Sequence, residues 1–258
     1  MKPIGVFDSG LGGISFLREA VALLPEESFI YYGDNKNAPY GDKDEATINR
    51  LALSCAKKLF DMNVKAIVVA CNTATGTAIK SLREKFNIPI ISMEPAIKPA
   101  CEKKGSGKIL MLATHTTTHM ERYIRLRESM EDPARIIDVA CPGLADRIEH
   151  SVFDEDAFDD LLSGYLRPYE GMQIDSIVLG CTHYVFIKDI IKRYADMHFS
   201  GDATIFDGGL GTARQLDRVL RQNSMRESEK AHGDIRFFTS GDEKTLLPKF
   251  DRLLFGNM

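Results

Sequence analysis

From its first residues onward, the chain alternates short apolar runs with longer stretches whose apolar positions recur at helical spacing. Residues 4–7 (IGVF) read as a strand, followed by DSGLGG and a helical pattern over about 13–24. A second strand, SFIYYGD, ends at Asp34, and the loop 35–41 (NKNAPYG) carries Pro39 and Gly41 as breakers. A helix over about 45–62, a strand from 66, a helix over about 73–86 and the strand 88–92 (IPIIS) complete the first series. This rhythm predicts a parallel sheet with helices on both faces. The run AIVVA is apolar without alternation, as in a strand buried on both sides, and passes through Cys71 into Asn72, Thr73 and Thr75, which are placed to start a helix.

Glu94-Pro95 and the segment to Gly107 read as a change of domain, after which the rhythm restarts. Strands are expected at 108–114, 135–141, the run before Cys181, 203–209 and 235–241. One helix is expected over 115–130, one over about 144–166 with an interruption near 154–156, and others over 184–197, 212–221 and 243–254. IVLGCTH repeats the setting of IVVACNT at an offset of 110 residues, about the size of a domain. The repeat suggests two related α/β halves facing each other. Ligands of open α/β sheets bind at the carboxyl ends of strands, so a cleft between the halves would carry Cys71 on one wall and Cys181 on the other.

Composition narrows the class. With 258 residues, 44% of them apolar, there is material for one large core or two ordinary ones. A net charge of −4 without a long basic run argues against nucleic acid and for a small-molecule partner. The amino-terminal segment has no signal-peptide core, and no stretch approaches the ~20 apolar residues of a membrane span, so a cytoplasmic protein is expected. The five cysteines are widely spaced with no CxxC, which argues against a disulfide framework or a zinc site. Cys55 and Cys101 fall in helical patterns as packed thiols, and Cys141 falls in a loop before Pro142 and Gly143.

DSGLGG imitates part of a dinucleotide fingerprint, but its third glycine is missing and Asp8 stands where a pyrophosphate would lie. DGGLGTAR (207–214) is a second imitation without a Walker lysine. The alternative is that Asp8 serves the chemistry while amides around Ser9 bind a carboxylate, with Asn72, Thr73, Thr114, Thr117 and Thr182 as neutral donors. Helix capping is the plain alternative for each Thr or Asn. A cysteine at a helix N-terminus is expected to have a lowered pKa. Two such cysteines on opposite walls suggest removal of a proton from one face of a carbon and its return to the other. Asp8 and His183 are candidate proton partners of Cys71 and Cys181.

Taken together, DSGLGG (8–13), YGD (32–34), PYG (39–41), VACNTAT (69–75), EPAIKPA (94–100), CPG followed by Glu149, and LGCTHY (179–184) resemble the bacterial glutamate racemases, a cofactor-independent family, over nearly the whole chain. The resemblance implies two flavodoxin-like α/β domains with mostly parallel sheets facing each other across a cleft, residues 1–96 with 208–258 forming the first and 97–207 the second. It implies that Cys71 deprotonates D-glutamate and Cys181 L-glutamate, assisted by Asp8 and His183, with Glu149 near the second cysteine. Ser9, Tyr40, Gly41, Asn72, Thr73, Thr117 and Thr182 match positions that hold the substrate. No cofactor or metal, a homodimer, and a role in supplying D-glutamate to peptidoglycan, and so to cell shape, are further implications. Val185, Gly211 and Met120 depart from the family pattern. An aspartate racemase, a related decarboxylase and a non-catalytic binder of acidic amino acids remain alternatives, although a second cysteine argues against the decarboxylase.

Overall fold

The computed structural model describes residues 2–152, 154–227 and 232–256, so residues 1, 228–231, 257 and 258 of the expected first domain and residue 153 of the second lie outside it. In chain order the elements are β1 (Ile4–Asp8), α1 (Ile14–Leu23), β2 (Phe29–Gly33), α2 (Glu45–Asp61), β3 (Ala66–Val69), α3 (Asn72–Lys85) and β4 (Ile90–Ser92). Then follow α4 (Ile97–Glu102), β5 (Lys108–Ala113), α5 (His115–His119), α6 (Glu121–Glu128), β6 (Ile136–Ala140), α7 (Leu144–Ser151), α8 (Asp159–Leu166) and β7 (Ile174–Leu179). The chain ends with α9 (Lys188–His198), β8 (Thr204–Asp207), α10 (Gly209–Gln222), β9 (Ile235–Thr239) and α11 (Glu243–Phe255).

Among the described residues the strands form two parallel sheets, ordered β4-β3-β1-β2-β9 and β6-β5-β7-β8. The late strand β9 pairs with β2, in register Phe29 to Ile235, which brings the end of the chain back to the first sheet. The apolar runs are strands because burial on both faces rewards an apolar block: β1, β3 and β7 are buried at every residue, although β7 takes in Asp175 and Ser176 before its run from Ile177. In α2, Ile48, Leu51, Ala52, Cys55, Ala56 and Leu59 make a buried stripe at helical spacing, and each large apolar side chain so covered contributes about 1.5–3 kcal/mol.

In each sheet the connections turn opposite ways about one pair of central strands. The first sheet reverses between β1 and β3, the second between β5 and β7. Such a switch point leaves a crevice at the carboxyl ends of its two strands. Asp8 ends β1 and Cys71 follows β3, while Thr114 follows β5 and Cys181 follows β7.

Two expected helices differ. The stretch 115–130 is broken at Met120, whose extended backbone (φ −69°, ψ 133°) separates α5 from α6. The stretch after Cys181 opens as a 3-10 turn, Thr182–Ile187, and α9 begins only at Lys188. The interruption near 154–156 is a 3-10 turn, Glu155–Ala157, between α7 and α8.

Candidate active site

Cys71 caps α3: its sulfur accepts from the Ala74 amide at 3.4 Å, and its thiol reaches Ser9 Oγ at 3.7 Å. Burial pushes this thiol up to about 12, the charge of Asp8 adds to the effect, and the Ala74 and Ser9 hydrogen bonds only partly offset both. The expected lowering by the helix N-terminus is therefore corrected, because desolvation outweighs the helix dipole at a site that is only 5% exposed. Cys71 is also close enough to Cys181 for the second thiol's charge to disfavour its ionisation.

Cys181 does not repeat this arrangement, since it makes no side-chain cap and leads into the 3-10 turn. Its partner is His183, whose Nδ1 lies 3.8 Å from Cys181 Sγ and whose Nε2 lies 2.7 Å from Glu149 Oε2. Burial opposes a charge on His183, yet the hydrogen bonds and charges of Cys181 and Glu149 overcome it and hold the imidazole well above its usual pKa. Glu149 moves the opposite way: burial would raise it, but His183, the Leu11 amide at 3.0 Å and the Asn35 side-chain amide together lower it. Glu149 is buried on α7.

Asp8 lies between the walls. It accepts from the Gly10 amide at 3.0 Å, from Ser9 Oγ at 3.5 Å and, across the cleft, from Thr182 Oγ1 at 3.1 Å. It thus reaches Cys71 through Ser9 and touches the residue beside Cys181 directly. Burial raises the pKa of its carboxyl, with His183 and the hydrogen bonds pulling the other way.

The glycines of DSGLGG serve packing. A methyl group on Gly10 would lie 2.4 Å from Glu149 Oε2, and one on Gly12 would lie 2.4 Å from His183 Nδ1 and Thr182 Oγ1. The loop amides of Gly10 and Leu11, expected to receive a substrate carboxylate, are taken by Asp8 and Glu149.

Thr73, Thr114 and Thr117 bring their hydroxyls together at 2.9–3.2 Å, joining the first unit to the second. Thr114 also caps α5, so capping and clustering coexist. Asn72 is buried, and its Oδ1 has no hydrogen-bond partner among the described residues. Gly41 packs against Thr114, and its carbonyl accepts from Thr116. Tyr40 turns its hydroxyl away, to Asp34 Oδ2 at 2.6 Å and toward Cys55 Sγ at 3.7 Å. Asn35, Ser15 and Lys249 also reach the site. Ser15 Oγ donates to the Thr182 carbonyl at 3.2 Å, and Lys249 Nζ donates to the Glu149 carbonyl. Only Ser15 carried a signal, its place beside the glycine loop.

Cys141 and Cys55 direct their thiols elsewhere. Cys141 is buried and donates to the Val139 carbonyl at 3.4 Å, and Cys55 is pushed up to about 12, chiefly by burial. Of the departures, Met120 packs its sulfur where a side chain on Gly76 would stand, Val185 lies in the 3-10 turn, and nothing lies within 4 Å of a methyl group placed on Gly211. Among the described residues no cluster of His, Cys, Asp or Glu could hold a metal ion, and no helix is long and apolar enough to cross a membrane.

Two parallel-sheet units thus each carry a thiol after a strand at the switch point of its sheet. The chain belongs to the Asp/Glu/Hydantoin racemase family, whose model matches residues 4–215. It is 43% identical over 246 residues to the glutamate racemase of Clostridium botulinum (strain Hall), covering 95% of this chain and 94% of that one. Its fold is similar to the crystal structure of glutamate racemase isoform RacE1 from Bacillus anthracis, with TM-score 0.85, 30% identity and coverage of 98% and 94%. It is also similar to the Escherichia coli glutamate racemase in complex with L-glutamate and the activator UDP-MurNAc-ala, with TM-score 0.83, 30% identity and coverage of 99% and 97%.

Proposed function

We propose that this chain is a cofactor-independent glutamate racemase that moves the α-proton between Cys181 and Cys71. The observation that carries this reading is the placing of one buried thiol at the switch point of each sheet, each with its own proton partner. From L-glutamate, Cys181 acting as the thiolate takes the α-hydrogen as a proton and becomes the thiol, while the electron pair of the broken C–H bond stays on the α-carbon. Cys71, which carries its proton at neutral pH, returns one to the opposite face and becomes the thiolate. The reverse sequence converts D-glutamate. Asp8, through Ser9, serves Cys71, and the His183–Glu149 pair serves Cys181.

The Thr73, Thr114 and Thr117 hydroxyls, with Thr182, are suited to a substrate carboxylate, and the unpartnered Asn72 Oδ1 is suited to accept from the α-ammonium. Ser9, Tyr40 and Gly41 complete the substrate wall in this reading, Tyr40 through its backbone. The chain ends return to the first domain, as the pairing of β9 with β2 supports, giving domains of 1–96 with 208–258 and 97–207. The enzyme acts in the cytoplasm as a homodimer and supplies D-glutamate for peptidoglycan, on which cell shape depends. Glutamate as substrate rests on the relatives.

The test is to incubate L- and D-glutamate, and aspartate side by side, in heavy water without pyridoxal phosphate, nucleotide or metal. Glutamate is expected to exchange its α-hydrogen and lose optical activity. Binding without exchange would contradict the enzyme, and faster turnover of aspartate would contradict the substrate.

A further inference from the structure

Behind His183 a chain of directed hydrogen bonds runs back to the last strand. The Gly241 amide donates to Thr239 Oγ1 at 3.0 Å, and Thr239 Oγ1 donates to Asn35 Oδ1 at 2.8 Å. Because the Asn35 carbonyl oxygen is committed to a hydroxyl donor, its amide nitrogen faces Glu149 Oε1 and donates to it. Glu149 Oε2 meets His183 Nε2 at 2.7 Å, and His183 Nδ1 meets Cys181 at 3.8 Å. The donors from Gly241 through Thr239 and Asn35 run toward Glu149, which also accepts from His183 Nε2 on its other oxygen, leaving His183 Nδ1 to face the second thiol. Close packing leaves little freedom: methyl groups on Gly33 and Gly10 would lie 2.5 Å from Asn35 Oδ1 and 2.4 Å from Glu149 Oε2.

We infer that Asn35 is a positioning residue for the Cys181 half of the reaction: held by Thr239, it fixes the Glu149 carboxylate and through it the His183 ring against Cys181. Glu149 enters from α7 of the second unit, whereas Asn35 follows β2 and Thr239 ends the edge strand β9 of the first sheet, so the returning end of the chain sets the geometry of a proton partner across the cleft. A carboxylate buried with three donors is held in one orientation, and losing one donor lets it turn and weakens its hold on the imidazolium. Asp8 from β1, Tyr31 from β2, Lys249 from α11 and Cys181 also face this His–Glu pair, and none replaces the Asn35 donor to Glu149 Oε1.

The inference rests on the two-thiol reading, and the test separates the two. Asn35→Leu is expected to lower kcat roughly 10- to 100-fold, short of the ~10²–10⁴ of an acid–base group itself. It should also narrow the pH–rate profile from both sides, since a less stabilised carboxylate titrates higher and a less supported imidazolium titrates lower. Only proton transfer at the L face slows. The isotope effect with α-deuterated L-glutamate therefore rises, and that with α-deuterated D-glutamate falls toward unity. Thr239→Val should show the same pattern more weakly and Thr239→Ser should restore it, which keeps the test open if Asn35→Leu does not fold. Wild-type kcat, pH limits and isotope effects would overturn the inference, as would a slowing that moves both isotope effects alike. Cys181→Ser, run in parallel, would overturn the underlying reading instead if it kept full activity in both directions.

Discussion

At Cys71 two local forces oppose each other, and their magnitudes decide the outcome. A helix N-terminus contributes about 0.3–1 kcal/mol toward a negative charge, whereas burial beside Asp8 lifts the thiol to about 12. At His183 the balance reverses, because Glu149 lies within hydrogen-bond reach of a ring that is only 2% exposed. Activity that needs this imidazolium should persist above neutral pH and fall on an alkaline limb where His183 loses its proton. In His183→Gln that limb should vanish and kcat should fall ~10²–10⁴-fold, and an unchanged pH–rate profile would count against the role. The pair also carries stability. The Glu149 share is present above its ordinary 4.5 and is lost as pH falls through its lowered folded pKa. The His183 share is present below its ordinary 6.5 and is lost as pH rises through its raised one. Glu149→Ala strands a buried cation, so urea unfolding near neutral pH should show a loss of about 3–5 kcal/mol. Cys71, Cys181, Asp8 and His183 were legible as residues because each stands next to a strand end in a distinctive local string. Asn35 and Thr239 were not, since their partnership depends on β9 lying beside β2.

Elements were legible where one period dominated. The apolar blocks of β1, β3 and β7 and the buried stripe of α2 follow from side-chain pattern alone. The break at Met120 was hidden because HTTTHMERYIRLRESM has no Gly or Pro to end a helix, whereas in the structure Met120 is extended and packs against Gly76. The 3-10 turn after Cys181 was hidden likewise, since THYVFI has no breaker. Only the close approach of the glycine loop to Thr182 and His183 explains that turn's surroundings. The loop only imitates a dinucleotide fingerprint, and in the structure its glycines serve packing. Gly12→Ala should therefore fold, with a stability loss of roughly 1–3 kcal/mol, while displacing His183 and lowering kcat by at least about 10-fold. Circular dichroism and steady-state rates measure the two effects, and wild-type turnover in this variant would show that the loop tolerates a side chain there.

At the scale of the whole molecule, hydrogen bonds of the site cross from one sheet's unit to the other. Thr182 bonds Asp8, Glu149 bonds Leu11 and Asn35, and Thr73 bonds Thr114 and Thr117. Neither unit alone makes the full set of these hydrogen bonds, and both thiols are nearly buried, which in the proposed reaction would keep water from the site. The presence of two α/β units was suggested by the 110-residue offset between Cys71 and Cys181, but strand order was not visible, because the return of the chain through β9 has no local signature. The central claim is that the two thiols work on opposite faces of one carbon. It is tested most directly by measuring α-deuterium isotope effects for both enantiomers in Cys71→Ser and Cys181→Ser. The account predicts severe loss of racemisation in each variant and a crossed pattern: a raised effect with D-glutamate for Cys71→Ser and with L-glutamate for Cys181→Ser. Wild-type rates in either variant, or the same pattern in both, would contradict it.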